Sequence, residues 1–238
     1  MDEGDIGGAG MILEDTIAWL TDADRWTGAG SIPQRLAEHV GITFLVVLLG
    51  ALIAIPVGIL IGHSRRGKTA VVGLAGALRA IPSLGLLTLV GLYLGIGLKA
   101  PIVALLVLAI PSLLAGAYAG VESVDRQTVD AARAIGMSEW QIITRVELPL
   151  ASPVIIGGIR AATLQVVATA TLAAYVSDYG LGRYVFSGLK GGDYSPMLGG
   201  AILVSVLAIV LELILAGVHS VSRRLSDPAS TATAKGTL

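Results

Sequence analysis

Few residues in this chain are spaced for chemistry, and the pattern that looks most chemical fails on context. Gly62-His-Ser-Arg-Arg-Gly67-Lys68-Thr69 matches G-x-x-x-x-G-K-[ST], a loop whose backbone N–H groups cradle phosphates. It works only between a strand and a helix of an α/β domain. Here both flanks are long apolar runs that leave no room for a nucleotide fold, so the match is read as false. His39, His63 and His219 lie near the ends of such runs and do not converge, so they assemble neither a metal set nor a nucleophile–base pair. No cysteine is present, which removes disulfides and thiolate metal sites. The chain is therefore expected to be non-catalytic, with no cofactor or metal of its own. Arg79, Arg160 and Glu212 stand inside otherwise apolar runs. Tyr175, Tyr179, Tyr184, Phe186 and Tyr194 cluster around Asp178.

The elements that must position these residues are membrane helices. The chain is 54% hydrophobic and 14% charged, against about 25% charged residues in a soluble domain. A span needs roughly 20 apolar residues. Five stretches qualify, at about 40–62, 71–95, 101–120, 153–176 and 197–218. This predicts an all-α polytopic bundle with its two ends on opposite sides. The 31 glycines suit close helix approach in lipid. Pro56, Pro82 and Pro111 fall inside spans, where kinks are tolerated and bent packing is expected. The net charge of −1 gives no reason to expect a nucleic-acid partner.

Basic residues set the orientation. Arg65, Arg66, Lys68, Arg126, Arg133, Arg145, Arg223, Arg224 and Lys235 share one side, and Arg25, Arg35, Lys99, Arg183 and Lys190 the other. The nine-to-five excess predicts the N-terminus outside and the C-terminus in the cytoplasm. Residues 1–38 form an external segment with an interfacial helix at 11–20, for which Trp19 and Trp26 are anchors. The acidic start, with Asp2, Glu3 and Asp5, lacks the basic opening of a signal peptide and is expected to remain. Residues 39–222 make the membrane domain. Residues 223–238 make a cytoplasmic tail whose Ser, Thr and Ala content predicts disorder.

Charges within spans should face protein or water. Comparable depth allows Glu212 to pair with Arg79 or Arg160, either as a static lock or along a translocation path. Tyr175, Asp178 and Tyr179 are further candidates for that path. Aromatic faces attract quaternary ammonium groups, although an interfacial belt explains the same tyrosines.

The most informative stretch is polar and lies between the third and fourth spans, at 125–149. Residues 125–135 read as a short helix that Gly136 suits as a C-terminal cap. Ser138 and Gln141 have capping-box spacing and start a second helix. Pro149 ends that helix or begins the next span. Trp140, Ile143 and Val146 fall at i, i+3 and i+6, roughly one face that wants a partner. An ordinary cytoplasmic loop packed on its own bundle is the plainer reading of the same geometry.

This stretch resembles the signature of binding-protein-dependent ABC importer permeases, Glu-Ala-Ala, three residues, Gly, nine residues, Ile, one residue, Leu-Pro. Asp130, Ala131, Ala132, Gly136, Val146, Leu148 and Pro149 occupy its positions, with Asp130 in place of Glu and Val146 in place of Ile. The resemblance implies that 125–149 is a coupling element, with Ser138 and Trp140 on its second helix, seated in a cleft of a partner ATPase that holds ATP and Mg. It also implies a methionine-importer-like permease fold and a bacterial-type inner-membrane location. Two permease subunits, identical or paralogous, and an external solute-binding protein are implied as well.

Three further stretches are similar to the branch that imports compatible solutes, namely glycine betaine, carnitine, choline and proline. They begin at Arg79-Ala-Ile-Pro, Val146-Glu-Leu-Pro and Gly180-Leu-Gly-Arg. Members carry a glycine-rich stretch before the last of these. Tyr175, Ser177, Asp178 and Tyr179 replace it here, so gating at the outer mouth is expected to differ. Permeases for methionine or another amino acid share these patterns. An ion-coupled secondary transporter would need mid-membrane carboxylates and repeats, and the chain offers one such carboxylate and no clear repeat.

Overall fold

The computed structural model describes residues 3–226, and every regular element among them is helical. The helices are α1 Glu3–Thr21, α2 Ile32–Ser64, α3 Lys68–Arg79, α4 Ser83–Leu94 and α5 Lys99–Glu122. They continue with α6 Arg126–Ala134, α7 Glu139–Ile142, α8 Leu148–Ala170, α9 Gly182–Gly191 and α10 Tyr194–Ser226. Four helical runs are long and apolar enough to span a membrane: Ile32–Ser64, Lys99–Glu122, Glu139–Tyr175 and Tyr194–Arg224. The α3–α4 pair adds a fifth, broken span. Lys235 and the expected disorder of 227–238 lie outside the described residues.

Three expectations change. The run at 71–95 is two 12-residue helices rather than one. Pro82 is extended at φ −61°, ψ 118° and starts α4 instead of kinking a continuous helix, because its ring has no N–H for a preceding turn. Pro56 and Pro111 do sit inside unbroken helices. The stretch after Gly180, expected as a loop, contains α9. The helix expected at 11–20 is also longer, Glu3–Thr21, and Trp19 packs in part against the protein. Its ring meets Tyr184 edge-on at 4.9 Å and covers Gly199 so closely that a Cβ there would lie 2.5 Å from it.

The chain divides into two compact units. The first comprises Met1–Val46, Pro82–Leu105 and Gln165–Val210. Ile32, Val46, Leu87, Ala104, Val166 and Leu181 are buried within it. Polar side chains tie its N-terminal part to 178–184. Arg35 Nη1 donates to the Asp178 carbonyl at 2.7 Å, Glu38 accepts from the Gly180 N–H at 2.9 Å, and the Tyr184 hydroxyl donates to the Gly30 carbonyl at 2.6 Å. His39 is fully buried with Nε2 3.0 Å from the Val167 carbonyl.

The second unit comprises Val47–Ile81, Leu106–Leu164 and Leu211–Leu238. Its tightest seam is backbone on backbone. A Cβ on Gly116 would lie 2.6 Å from the Gly158 Cα, so α5 and α8 meet where neither has a side chain, the small-residue packing that lipid-embedded helices favour. Apolar residues of α10 in this unit, such as Leu213, Ile214 and Val218, point outward, as lipid-facing residues must.

Candidate functional site

The candidate site is the elbow at 125–149, built within the second unit. Asp125 caps α6 by accepting the Gln127 N–H at 2.9 Å. The helix ends in a Schellman arrangement, with Met137 N–H donating to the Ala132 carbonyl and Gly136 N–H to the Arg133 carbonyl. Gly136 takes φ +88°, the left-handed conformation this cap requires. Ser138 and Gln141 then form the expected capping box. The second helix makes only one α turn. A five-residue π segment, Ile143–Glu147, follows, and α8 starts at Leu148.

Pro149 therefore begins the next span. In an α-helix its ring would press on the carbonyl four residues back. Widening the preceding turn relieves that clash, a common reason for a π bulge. Trp140, Ile143 and Val146 do not share one face. Trp140 is 71% exposed, whereas Ile143 is buried. The inward side of the elbow is Val129, Ala132 and Ile142, packed with Val121, Val124, Ala151 and Ile155 and flanked by Val146 and Leu148. The outward side presents Asp130, Ala131, Ile135, Gly136 and Trp140, with Ile135 at 80% exposure. Of the small signature residues, Ala132 thus serves the packing between the short helices, while Ala131 and Gly136 face out.

A chain of charges stiffens the elbow. Arg133 grips Glu139 through two hydrogen bonds at 2.8 and 2.9 Å and Asp130 through one at 3.1 Å. The hydrogen bond to Glu139 is the main reason the Arg133 guanidinium holds its proton more tightly than usual. His63, at the end of α2, places Nε2 3.0 Å from Glu139 and Nδ1 2.6 Å from Glu147. Glu147 is 3% exposed. Nearby, Arg65 donates to the Val124 carbonyl at 3.0 Å and Lys68 pairs with Glu122 at 3.2 Å. Sequence reading missed this chain. His63 had looked isolated at a span end, and only its 84-residue separation from Glu147 hides the pairing.

The remaining sequence candidates fall in two places. Arg160 and Glu212, both in the second unit, form a two-point ion pair, with Arg160 Nε 2.8 Å from Glu212 Oε2 and a second contact between Nη2 and Oε1. Arg79 is not part of it. It ends α3 at the break in the middle of the α3–α4 run. In the first unit, Asp178 is held by Arg35 at 3.2 Å and Arg183 at 2.9 Å. Tyr175 leans on Phe186 with ring centroids 5.6 Å apart, and Tyr179 is half-buried. A cavity of about 380 Å³ lies beside Tyr175, Asp178 and Arg183. Tyr184 is buried, at 8% exposure.

Residues 54–223 match the family described as binding-protein-dependent transport system inner membrane component. The chain is 35% identical over 190 residues to the glycine betaine/carnitine/choline transport system permease protein OpuCB of Bacillus subtilis (strain 168), covering 80% of this chain and 88% of that protein. It is 38% identical over 178 residues to the carnitine transport permease protein OpuCB of Listeria monocytogenes, covering 75% and 82%. The osmoprotectant import permease protein OsmW of Salmonella typhimurium shares 32% over 206 residues, covering 84% and 94%. In fold, the chain superposes on an inward-facing structure of the MetNI methionine ABC transporter with a TM-score of 0.69 at 24% identity, covering 78% of this chain and 93% of that one. A polytopic helical bundle with this signature, this match and these relatives belongs to the inner-membrane permease components of binding-protein-dependent transport systems.

Proposed function

We propose that the chain is the permease subunit of an ATP-driven importer for small osmoprotectants of the glycine betaine, carnitine and choline type. In this reading an external binding protein delivers the solute. A second permease copy or paralogue completes the path, and partner ATPases hold ATP and Mg. The observation on which this rests is the elbow. Its inward face is packed and its charges are mutually satisfied, yet Ile135 and Trp140 stand exposed beside Ala131 and Gly136. Apolar and aromatic side chains on a stiff, small-residue platform fit insertion into a cleft of another subunit.

Side chains support the proposed topology. Lys68–Glu122, Arg65–Val124 and His63–Glu147 join segments flanking the first, third and fourth spans. Ser152 lies 3.0 Å from Ser222, and Ser226 donates to the Pro149 carbonyl at 3.0 Å. These contacts belong to one membrane face, which the basic residues assign to the cytoplasm. Within the first unit, the contacts of Arg35 with Asp178 and of Tyr184 with Gly30 join segments that the basic-residue count assigns to the outside.

The test is co-purification and uptake. Tagged full-length chain, expressed with the ATPase and binding-protein subunits, should retain the ATPase and support ATP-dependent betaine uptake. Gly136→Trp should keep membrane insertion while losing uptake. Full uptake by an assembled Gly136→Trp complex would end this reading.

A further inference from the structure

The first unit holds a second, more polar cavity of about 530 Å³, lined in part by Trp19, Arg25, Arg35, Arg183, Tyr184 and Asp193. Three guanidiniums face it against one carboxylate, and Asp193 Oδ1 already accepts the Ser195 N–H at 3.1 Å. Arg35 is the buried member, with a side chain 11% exposed. Its Nη1 serves Glu38 and the Asp178 carbonyl, and its Nη2 serves Asp178 Oδ1. Its Nε is buried without a hydrogen-bond partner. Arg25 reaches Asp22 only at 3.7 Å and lies over the Trp19 ring, 5.5 Å from its centroid. Arg183 spends its Nε on Asp178.

Arg35 Nη2 has one N–H beyond its bond to Asp178, and guanidinium forks match oxyanions. We infer that this cavity is a subsite for the carboxylate end of a small zwitterionic solute, with Arg35 and Arg25 as its donors. The inference rests on the importer reading and adds a specificity determinant to it. Trp19 and Tyr184 form an aromatic wall at the same cavity, and aromatic faces suit an onium group at the other end of the solute. Solutes bearing both groups, such as glycine betaine and carnitine, are thereby separated from choline, which has no carboxylate.

The chain has three tryptophans, so Trp26→Phe with Trp140→Phe leaves Trp19 as the only indole reporter. Full-length protein of this background, in neutral-lipid nanodiscs, is titrated with glycine betaine, carnitine and choline. Betaine and carnitine should change Trp19 emission saturably, with choline roughly tenfold weaker. Arg25→Gln should weaken betaine about tenfold, the loss of one charge-assisted contact, and Arg25→Lys should recover part of it. Choline titrating as well as betaine, or an unmoved Arg25→Gln midpoint, overturns the subsite. So does a midpoint that tracks the fraction of anionic lipid, which would make the oxyanion a headgroup phosphate. ATP-dependent uptake by the wild-type assembly is measured in parallel. Uptake with a silent Trp19 overturns the subsite alone, and a responsive Trp19 without ATP-dependent uptake overturns the importer reading.

Discussion

At the scale of single residues, the elbow depends on groups that tolerate little exchange. Gly136 must hold φ +88°, which costs a Cβ-bearing residue about 1–2 kcal/mol and Asn less. Gly136→Asn should therefore retain more uptake than Gly136→Val, with thermal unfolding showing the smaller loss for Asn. Glu147 is buried against His63 at 2.6 Å. His63→Ala leaves a buried carboxylate without that partner and should destabilise by about 1–3 kcal/mol. Pairing it with Glu147→Gln should cost less than the two single changes summed, as a double-mutant cycle would read. Gly136, Ser138 and Gln141 were legible because caps have local signatures. Glu147 and His63 were not, because a contact spanning 84 positions leaves no mark on local spacing.

At the scale of elements, the spans were legible from hydropathy alone, since lipid forces every backbone group into a helix. What hydropathy misses is interruption. Pro82 turns one apolar run into two helices without any drop in hydrophobicity. The π segment before Pro149 hid for a related reason. A single surplus residue in a turn keeps the apolar content, so hydropathy does not reveal it. Helix contact is also testable here. Gly116→Val forces α5 away from Gly158 and should cost about 1–3 kcal/mol as overpacking, seen as a lower melting temperature in detergent. Gly157→Ala, one residue from that seam with nothing within 4 Å of its Cβ, should be close to neutral.

At the scale of the whole molecule, the family was readable early because the signature joins fixed residue types at fixed spacing. A reporter fused to the C-terminus should prove cytoplasmic, and one placed in 184–195 should prove external. Glu212→Gln leaves Arg160 without its carboxylate partner inside apolar helices. It should lower the amount of inserted protein on membrane immunoblots more than the joint change with Arg160→Gln does. Solute identity was less legible, since the cavity walls come from segments more than 140 positions apart.

The surplus residue at 143–147 has one more implication. A π turn closes on about one residue more than an α turn, so the bulge absorbs its surplus residue without rotating the segments on either side. Deleting one position there should therefore leave the azimuth of Trp140 nearly unchanged, whereas adding a residue that the helix keeps as ordinary α turn would swing the tip by about 100°. The bulge thus acts as a slack link: the lever keeps its heading although its stem carries an extra residue.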